Sequence, residues 1–175
     1  ALFRILDVPL FSGFMYASVG SYIARVIRLC DMRFERYPPF PATLALAAAI
    51  YGNFFTHHFG PDLRNVLFAA TLVLFAGTTI RFTVIRRLAM PLPLAAFLAS
   101  LFLWIAENVG TMTGTWIYAG SAAHDWAPLS KMGSWYLLLY VSFVTVTIVV
   151  RDPLSFRSAR ARPEPQTTAP APPVG

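Results

Sequence analysis

The chain has 175 residues, of which 57% are hydrophobic and only 13% are charged, and its formal net charge is +6. Soluble domains carry about 25% charged residues, so this composition indicates a polytopic membrane protein, and it excludes a disulfide scaffold because Cys30 is the single cysteine. The basic residues are scattered along the chain, which favours a role in membrane orientation and excludes a nucleic-acid groove.

Five apolar stretches are long enough to cross the ~30 Å hydrocarbon core of a bilayer, which takes about 20 helical residues. Continuous apolar runs of this length predict helices and no strands. The sequence therefore predicts an all-α, polytopic transmembrane helix bundle within residues 1–150. Its five spanning helices are expected at about 9–27, 41–59, 64–84, 91–110 and 131–150.

The two ends of the chain differ from this pattern. Residues 151–175 hold six prolines among Ser, Thr, Ala and Arg, and they are predicted to form a disordered cytoplasmic tail. The start has no Met, no basic n-region and no signal-peptide cleavage pattern. We interpret it as an external loop of a chain that is truncated at its N-terminus.

The basic residues indicate the orientation of the predicted spans. Cytoplasmic connections carry an excess of Lys and Arg, so the side with eleven arginines is expected in the cytoplasm and the side with three basic residues outside. The protein is then a multi-pass protein of the bacterial cytoplasmic (inner) membrane whose chain starts outside. The eleven arginines follow the first, third and fifth spans: Arg25, Arg28, Arg33, Arg36, Arg81, Arg86, Arg87, Arg151, Arg157, Arg160 and Arg162.

Polar side chains at membrane depth are costly and therefore indicate a functional site. With the predicted orientation, nearly all of them fall in the outer half of the bundle. The candidate catalytic residues are Glu107 and His57. The candidate substrate-binding residues are Asn53, His58, Asn108, Thr113, Tyr118, Lys131, Ser134 and Trp135.

Glu107 is the most informative of these residues, because a carboxylate about one turn inside an apolar helix must be paired, protonated or water-facing. It either forms an ion pair with Lys131 or Arg64 that holds helices together, or it is a carboxyl that transfers a proton. His57 and His58 point about 100° apart on a helix and do not easily share one metal ion. They either cap the helix end or take part in the site, and we expect no metal and no cofactor.

Four segments carry a resemblance to a known family. They are VPLFSGFMYASVGSYI at 8–23, YGNFFTHHFGPDLR at 51–64, IAENVGTMTGTWIY at 105–118 and KMGSWYLLLYVSF at 131–143. In this order they resemble the YoaT-like family of bacterial integral membrane proteins, whose members look longer at the N-terminus. The resemblance implies a fold family and a membrane location, and it implies no activity because none is established for the family.

An internal similarity accompanies this resemblance. Residues 8–16 and 127–136 each open an inward-running predicted helix, which suggests a parallel duplication. The resemblance implies that the N-terminal part of the family holds a similar glutamate-containing segment, so the complete protein is expected to have a second repeat and two such carboxylates. Residues 107–118 are also similar to membrane-bound carotenoid cyclases and hydratases, which are thought to protonate isoprenoid double bonds with intramembrane carboxyls.

Three functions remain open at this point. The first is a membrane enzyme that uses Glu107 as acid or base on a lipid-soluble, isoprenoid-like small molecule. The second is a small-molecule transporter or permease, and the third is an accessory structural subunit. Expected partners are membrane lipids and not nucleic acid. An ATP-binding P-loop, a CxxC pair and a nucleophile elbow are all absent from the sequence.

Overall fold

A computed structural model describes residues 4–5, 8–9, 12–56, 60–115 and 125–156 of the chain. The described residues form five helices and six short strands. The helices are α1 (Ser12–Leu29), α2 (Phe40–Thr56), α3 (Arg64–Phe75), α4 (Leu92–Met112) and α5 (Leu129–Val149). The strands are β1 (Arg4–Ile5), β2 (Val8–Pro9), β3 (Arg33–Tyr37), β4 (Thr79–Thr83), β5 (Arg87–Pro91) and β6 (Leu154–Phe156).

Helix α5 is the centre of the bundle, because it packs against α1, α2, α3 and α4. Tyr136, Tyr140 and Phe143 are spaced by four and three residues, so they share one buried face of α5. The ring of Phe68 on α3 lies 4.6 Å from that of Tyr136, and the ring of Phe75 lies 5.0 Å from that of Tyr140. These aromatic contacts form much of the core between α3 and α5.

The prediction of an all-α bundle without strands is wrong, because β3, β4, β5 and β6 form a four-stranded sheet in the order β5–β4–β3–β6. Neighbouring strands are antiparallel except for the parallel pair β3–β6. Since β3, β4 and β6 follow α1, α3 and α5, the C-terminal ends of these helices meet at the sheet. We call this end of the bundle the sheet end, and the opposite end, where α3 and α5 begin, the far end.

The sheet packs on the helices through two aromatic residues of β3. Phe34 and Tyr37 are both buried, although they are three residues apart and an uninterrupted strand alternates its faces. Arg36 adopts a left-handed φ of 54°, and the register of β3 against β6 shifts between Phe34 and Tyr37. This irregularity lets both rings reach Phe143, at 5.0 and 6.2 Å between ring centroids.

The predicted third span, 64–84, contains a helix followed by a strand. Its helical part ends at Phe75, and Thr79–Thr83 forms β4. In the segment Thr-Ile-Arg-Phe-Thr every residue except the arginine is β-branched or aromatic, which suits a pleated strand better than a helix. Because the segment is also apolar, it extended the apparent span. Ile80 instead pairs with Phe34 of β3.

Five spanning helices are not supported either. Among the described residues, α4 and α5, each of 21 residues, are long and apolar enough to cross a membrane. The apolar helices α2 and α3 are shorter, with 17 and 12 residues. The predicted tail lies mostly outside the described residues, but Leu154–Phe156 adds β6 to the edge of the sheet.

Candidate functional site

Polar residues collect at the far end of the bundle, where they form two hydrogen-bonded groups. The first, which we call the Asp62 group, joins α2, α3 and α5. The side-chain oxygen of the buried Asn53 accepts a hydrogen bond from the backbone N–H of Leu63 at 3.1 Å. Asp62 forms an ion pair with Arg64 at 2.6 Å, and the Arg64 guanidinium also donates to Ser134 Oγ at 3.4 Å.

Within the Asp62 group, Asp62 and Arg64 shift each other's pKa. Hydrogen bonds from the Arg64 side chain and then from its backbone N–H lower the pKa of Asp62 to about 2. The same contact raises the pKa of the Arg64 guanidinium. Both groups are therefore charged throughout the physiological range, and because both side chains are about 40% exposed, the pair is expected to stabilise the connection between α2 and α3 only modestly.

The second group, which we call the Asn108 group, joins α4 to the segment before α5. The buried Asn108 side chain donates from Nδ2 to the carbonyl of Trp104 at 2.7 Å and accepts from the N–H of Ala127 at 2.8 Å. Trp104 Nε1 donates to the carbonyl of Ala127 at 3.0 Å. The amide of Asn108 thus serves the backbone, which is a structural role.

The Thr113 side chain also hydrogen-bonds to the backbone. Its hydroxyl donates to the carbonyl of Val109 at 2.8 Å, and Gly114 follows with a left-handed φ of 69°. The N–H of Gly114 donates to Thr111 and the N–H of Thr115 donates to Gly110. This is the Schellman arrangement that ends many helices, and it satisfies the last carbonyls of α4.

Glu107 stands apart from both groups. Its Oε2 atom is buried, and no described residue gives that atom a hydrogen bond. Ser100 and Thr111 lie seven residues before and four residues after it on the same buried face of α4. Their hydroxyls donate to the helix carbonyls of Phe97 and Asn108, at 2.8 and 3.0 Å, and so do not serve Glu107.

The Arg64 guanidinium contacts Asp62 and Ser134, and no ion pair between Arg64 and Glu107 occurs among the described residues. Lys131 lies half-buried in the first turn of α5, and Trp135 is half-buried one turn later. The segment before α5 is bonded to residues 104 and 108, so this first turn begins near the level of Glu107. His57, His58 and Tyr118 lie outside the described residues.

An apolar groove of about 370 Å³ lies beside the Asn108 group. Trp104 and Trp126 form one part of it, with ring centroids 6.2 Å apart. Ile105 and Val109 line it on α4, about 160° around the helix from Glu107. The groove and the Glu107 carboxyl therefore lie on different faces of α4. The complete lining is Trp104, Ile105, Asn108, Val109, Met112, Thr113 and Trp126.

The structure thus brings some predicted site residues together and separates others. Asn53 and Ser134 meet through Leu63, Asp62 and Arg64, whereas Asn108 and Thr113 meet at the groove. Asp62 and Arg64 belong to the site more firmly than the sequence indicated. Their spacing of two residues at a helix start is a usable signal, because an acidic residue there can bond the first N–H groups.

Comparison with known proteins identifies the family. The family model described as "Protein of unknown function (DUF817)" matches residues 1–143. The chain is 44% identical over 146 residues to "Uncharacterized protein YoaT" of Bacillus subtilis (strain 168), a match that covers 82% of this chain and 55% of that protein. No solved structure matches.

The described part of the chain is therefore mostly helical and contains two candidate membrane-spanning helices, and the chain belongs to the DUF817 family. This confirms the resemblance to YoaT-like proteins. The chain spans about half the length of the curated relative that it matches.

Proposed function

We propose that the chain is part of a multi-pass protein of the bacterial cytoplasmic membrane, with the sheet end in the cytoplasm. Helices α4 and α5 support membrane insertion by their length and composition. The distribution of charge supports the orientation, because arginines are abundant in the cytoplasmic connections of membrane proteins. At the sheet end lie Arg25, Arg28, Arg33, Arg36, Arg81, Arg86, Arg87 and Arg151.

Labelling of single cysteines tests this orientation. In a Cys30→Ser background, Arg86→Cys presents a thiol at the sheet end and Thr115→Cys presents one at the far end. A membrane-impermeant maleimide added to intact cells is expected to label position 115, and to label position 86 only after permeabilisation. Labelling of position 86 in intact cells contradicts the orientation.

We further propose that the protein is an enzyme in which Glu107 is the acid and base toward a lipid-soluble substrate. The observation that carries this proposal is the buried Oε2 atom without a described hydrogen-bond donor. A buried carboxylate oxygen without a donor is costly, so this oxygen calls for a partner that the described residues do not supply, such as a bound ligand. An apolar substrate bound there would be in place to exchange a proton with the carboxyl.

The simplest such reaction moves a double bond and needs no cofactor. The Glu107 carboxylic acid gives its proton to one carbon of a C=C bond, whose π electrons form the new C–H bond. The neighbouring carbon becomes a cation. Loss of a proton from the next carbon to the Glu107 carboxylate forms the shifted double bond and restores the acid. An isoprenoid-like chain suits this chemistry because branched alkenes give the more stable cations.

Lipid and pigment profiles of cells test the enzymatic proposal. Cells that express the complete protein are compared with cells that express the Glu107→Gln variant at the same level. Glutamine keeps the shape of the side chain and removes the exchangeable acid proton. We expect the variant to abolish the change in profile that the parent protein causes. Glu35→Gln, a substitution at the sheet end, is the matched control, and an equal loss in both variants contradicts the role of Glu107.

A further inference from the structure

The hairpin formed by β4 and β5 presents two aliphatic side chains to solvent at its tip. Val84 is 65% exposed and Ile85 is 98% exposed. Arg86 and Arg87 follow directly and are exposed as well. Aliphatic side chains that are exposed to water lose the favourable free energy of burial. This arrangement therefore suits surroundings that accommodate apolar and cationic groups together.

A second element joins the hairpin at this place. The N–H of Thr83, at the base of the tip, donates to the carbonyl of Cys30 at 2.8 Å. Cys30 directly follows α1, whose last residue, Leu29, is 72% exposed. This bond places the hairpin tip beside the end of α1, and we call Leu29, Val84, Ile85, Arg86 and Arg87 together the hairpin patch.

The length of β5 limits how far the hairpin patch can lie from the start of α4. Strand β5 ends at Pro91 and α4 begins at Leu92. Ile85 and Leu92 are seven residues apart in the sequence, and a strand rises at most ~3.4 Å per residue, so the tip cannot lie farther than ~24 Å from the start of α4. The bond to Cys30 keeps it beside the last turn of α1 as well. If α4 crosses a membrane, the hairpin patch is within reach of the headgroup region.

We propose that the hairpin patch inserts into the surface of an anionic lipid leaflet. Val84 and Ile85 enter the boundary between headgroups and acyl chains, and Arg86 and Arg87 bind lipid phosphates. This proposal rests on the membrane location proposed above, and it does not depend on Glu107. The cytoplasmic leaflet is negatively charged and attracts arginines near the membrane surface, so the charge of the patch matches this occupant.

The size of the apolar surface favours lipid over a protein partner. A stable protein interface buries more than about 1,000 Å² in total, with a central apolar core. Two adjacent aliphatic side chains at the tip of a two-stranded hairpin offer much less than that. Insertion into a bilayer needs no complementary surface, since the acyl chains adapt to the side chains.

The experiment uses an environment-sensitive fluorophore at the tip. The Ile85→Cys variant in a Cys30→Ser background is labelled and reconstituted into nanodiscs of phosphatidylcholine alone or with phosphatidylglycerol. Lipids that carry a nitroxide at the headgroup measure the depth of the probe by quenching. The matched control is Asp152→Cys, because Asp152 is exposed at the same end of the bundle and lies two residues before β6, the strand at the opposite edge of the sheet.

We expect strong quenching and a blue-shifted emission at position 85 in phosphatidylglycerol nanodiscs, and weak quenching at position 152. Arg86→Gln with Arg87→Gln is expected to lower the inserted fraction, since each arginine near the surface contributes roughly fivefold to the attraction. High salt should have the same effect. These surface substitutions leave the core intact, which circular dichroism can verify.

Two results overturn the proposal. One is equal quenching at positions 85 and 152, and the other is quenching at position 85 that does not depend on phosphatidylglycerol. Equal and weak quenching, with a water-exposed probe at position 85 in both membranes, excludes lipid as the occupant of the patch. Failure of the parent chain to resist alkaline carbonate extraction from cell membranes contradicts the membrane location itself, so the two proposals can fail separately.

Discussion

The side-chain oxygen of Asn108 accepts a hydrogen bond from the backbone N–H of Ala127 at 2.8 Å. Both residues are buried, with 5% and 3% of their surface exposed. The bond fixes the segment before α5 against α4, and the Trp104 indole reinforces it by donating to the carbonyl of Ala127. Asn108, a predicted substrate-binding residue, therefore has a structural role, because it holds the segment before α5 against α4.

We predict that Asn108→Ala destabilises the protein by about 1–3 kcal/mol, because it leaves the buried N–H of Ala127 without an acceptor. Thermal unfolding of the purified protein in detergent measures the change. Asn65→Ala is the control, since Asn65 is exposed on α3, and its effect should stay within about 0.5 kcal/mol. Equal effects of the two substitutions contradict the assigned role of Asn108.

The Asp62–Arg64 pair predicts a dependence of stability on pH. Because Arg64 lowers the pKa of Asp62 to about 2 in the folded state, the folded protein releases this proton more readily than the unfolded chain. The stabilisation is present above the unfolded pKa of about 4 and is lost as the pH falls through about 2. We expect Asp62→Asn to remove part of the loss of stability between pH 4 and pH 2.

The measurement for Asp62 is the midpoint of thermal unfolding at several pH values. Asp152→Asn is the matched control, because Asp152 is exposed at the sheet end, away from Arg64. Its pH profile is expected to follow the parent. A parent-like profile for Asp62→Asn shows that the ion pair does not stabilise the connection between α2 and α3.

Hydropathy together with the positions of prolines predicted most of the helical elements well. The helices begin and end near the predicted bounds in four of the five cases, because apolar runs and helix-opening prolines such as Pro91 mark them. The sheet was missed for a physical reason. Its strands are short and adjoin the helices, and the pairing of Phe34 with Ile80 joins residues from separate connections, which a local pattern does not contain.

The position of the polar residues could be predicted, whereas their role as a functional site stays a prediction. The sequence indicated that polar residues share the far end, and the described ones do, including Asn53, Glu107 and Ser134. It could not indicate that Asn108 and Thr113 bond to backbone groups, because this depends on how the segment after α4 folds back. The arrangement of His57, His58 and Tyr118 stays a prediction.

Arg36 gives a prediction for the sheet. Its φ of 54° lies in the left-handed region, which costs a non-glycine residue roughly 1–2 kcal/mol. Arg36→Gly relieves this cost and adds unfolded-state entropy of about 0.5–1 kcal/mol, so we expect a neutral or slightly stabilising effect. Arg33→Gly lies in the same strand and is expected to destabilise by about 0.5–1 kcal/mol. Chemical denaturation compares the two, and the opposite order of stabilities contradicts the assigned backbone strain.

The last prediction concerns the stability of the Glu107→Gln variant. Removing one partner of a buried ion pair strands the other charge and costs about 3–5 kcal/mol. The Oε2 atom of Glu107 has no described donor, and Arg64 is paired with Asp62, so the substitution strands no guanidinium. We therefore expect the variant to unfold within about 1 kcal/mol of the parent in the same detergent. Asn108→Ala, on the same helix, provides the destabilised reference. If Glu107→Gln instead loses as much stability as a broken buried pair, Glu107 holds the helices together and is not the proposed acid.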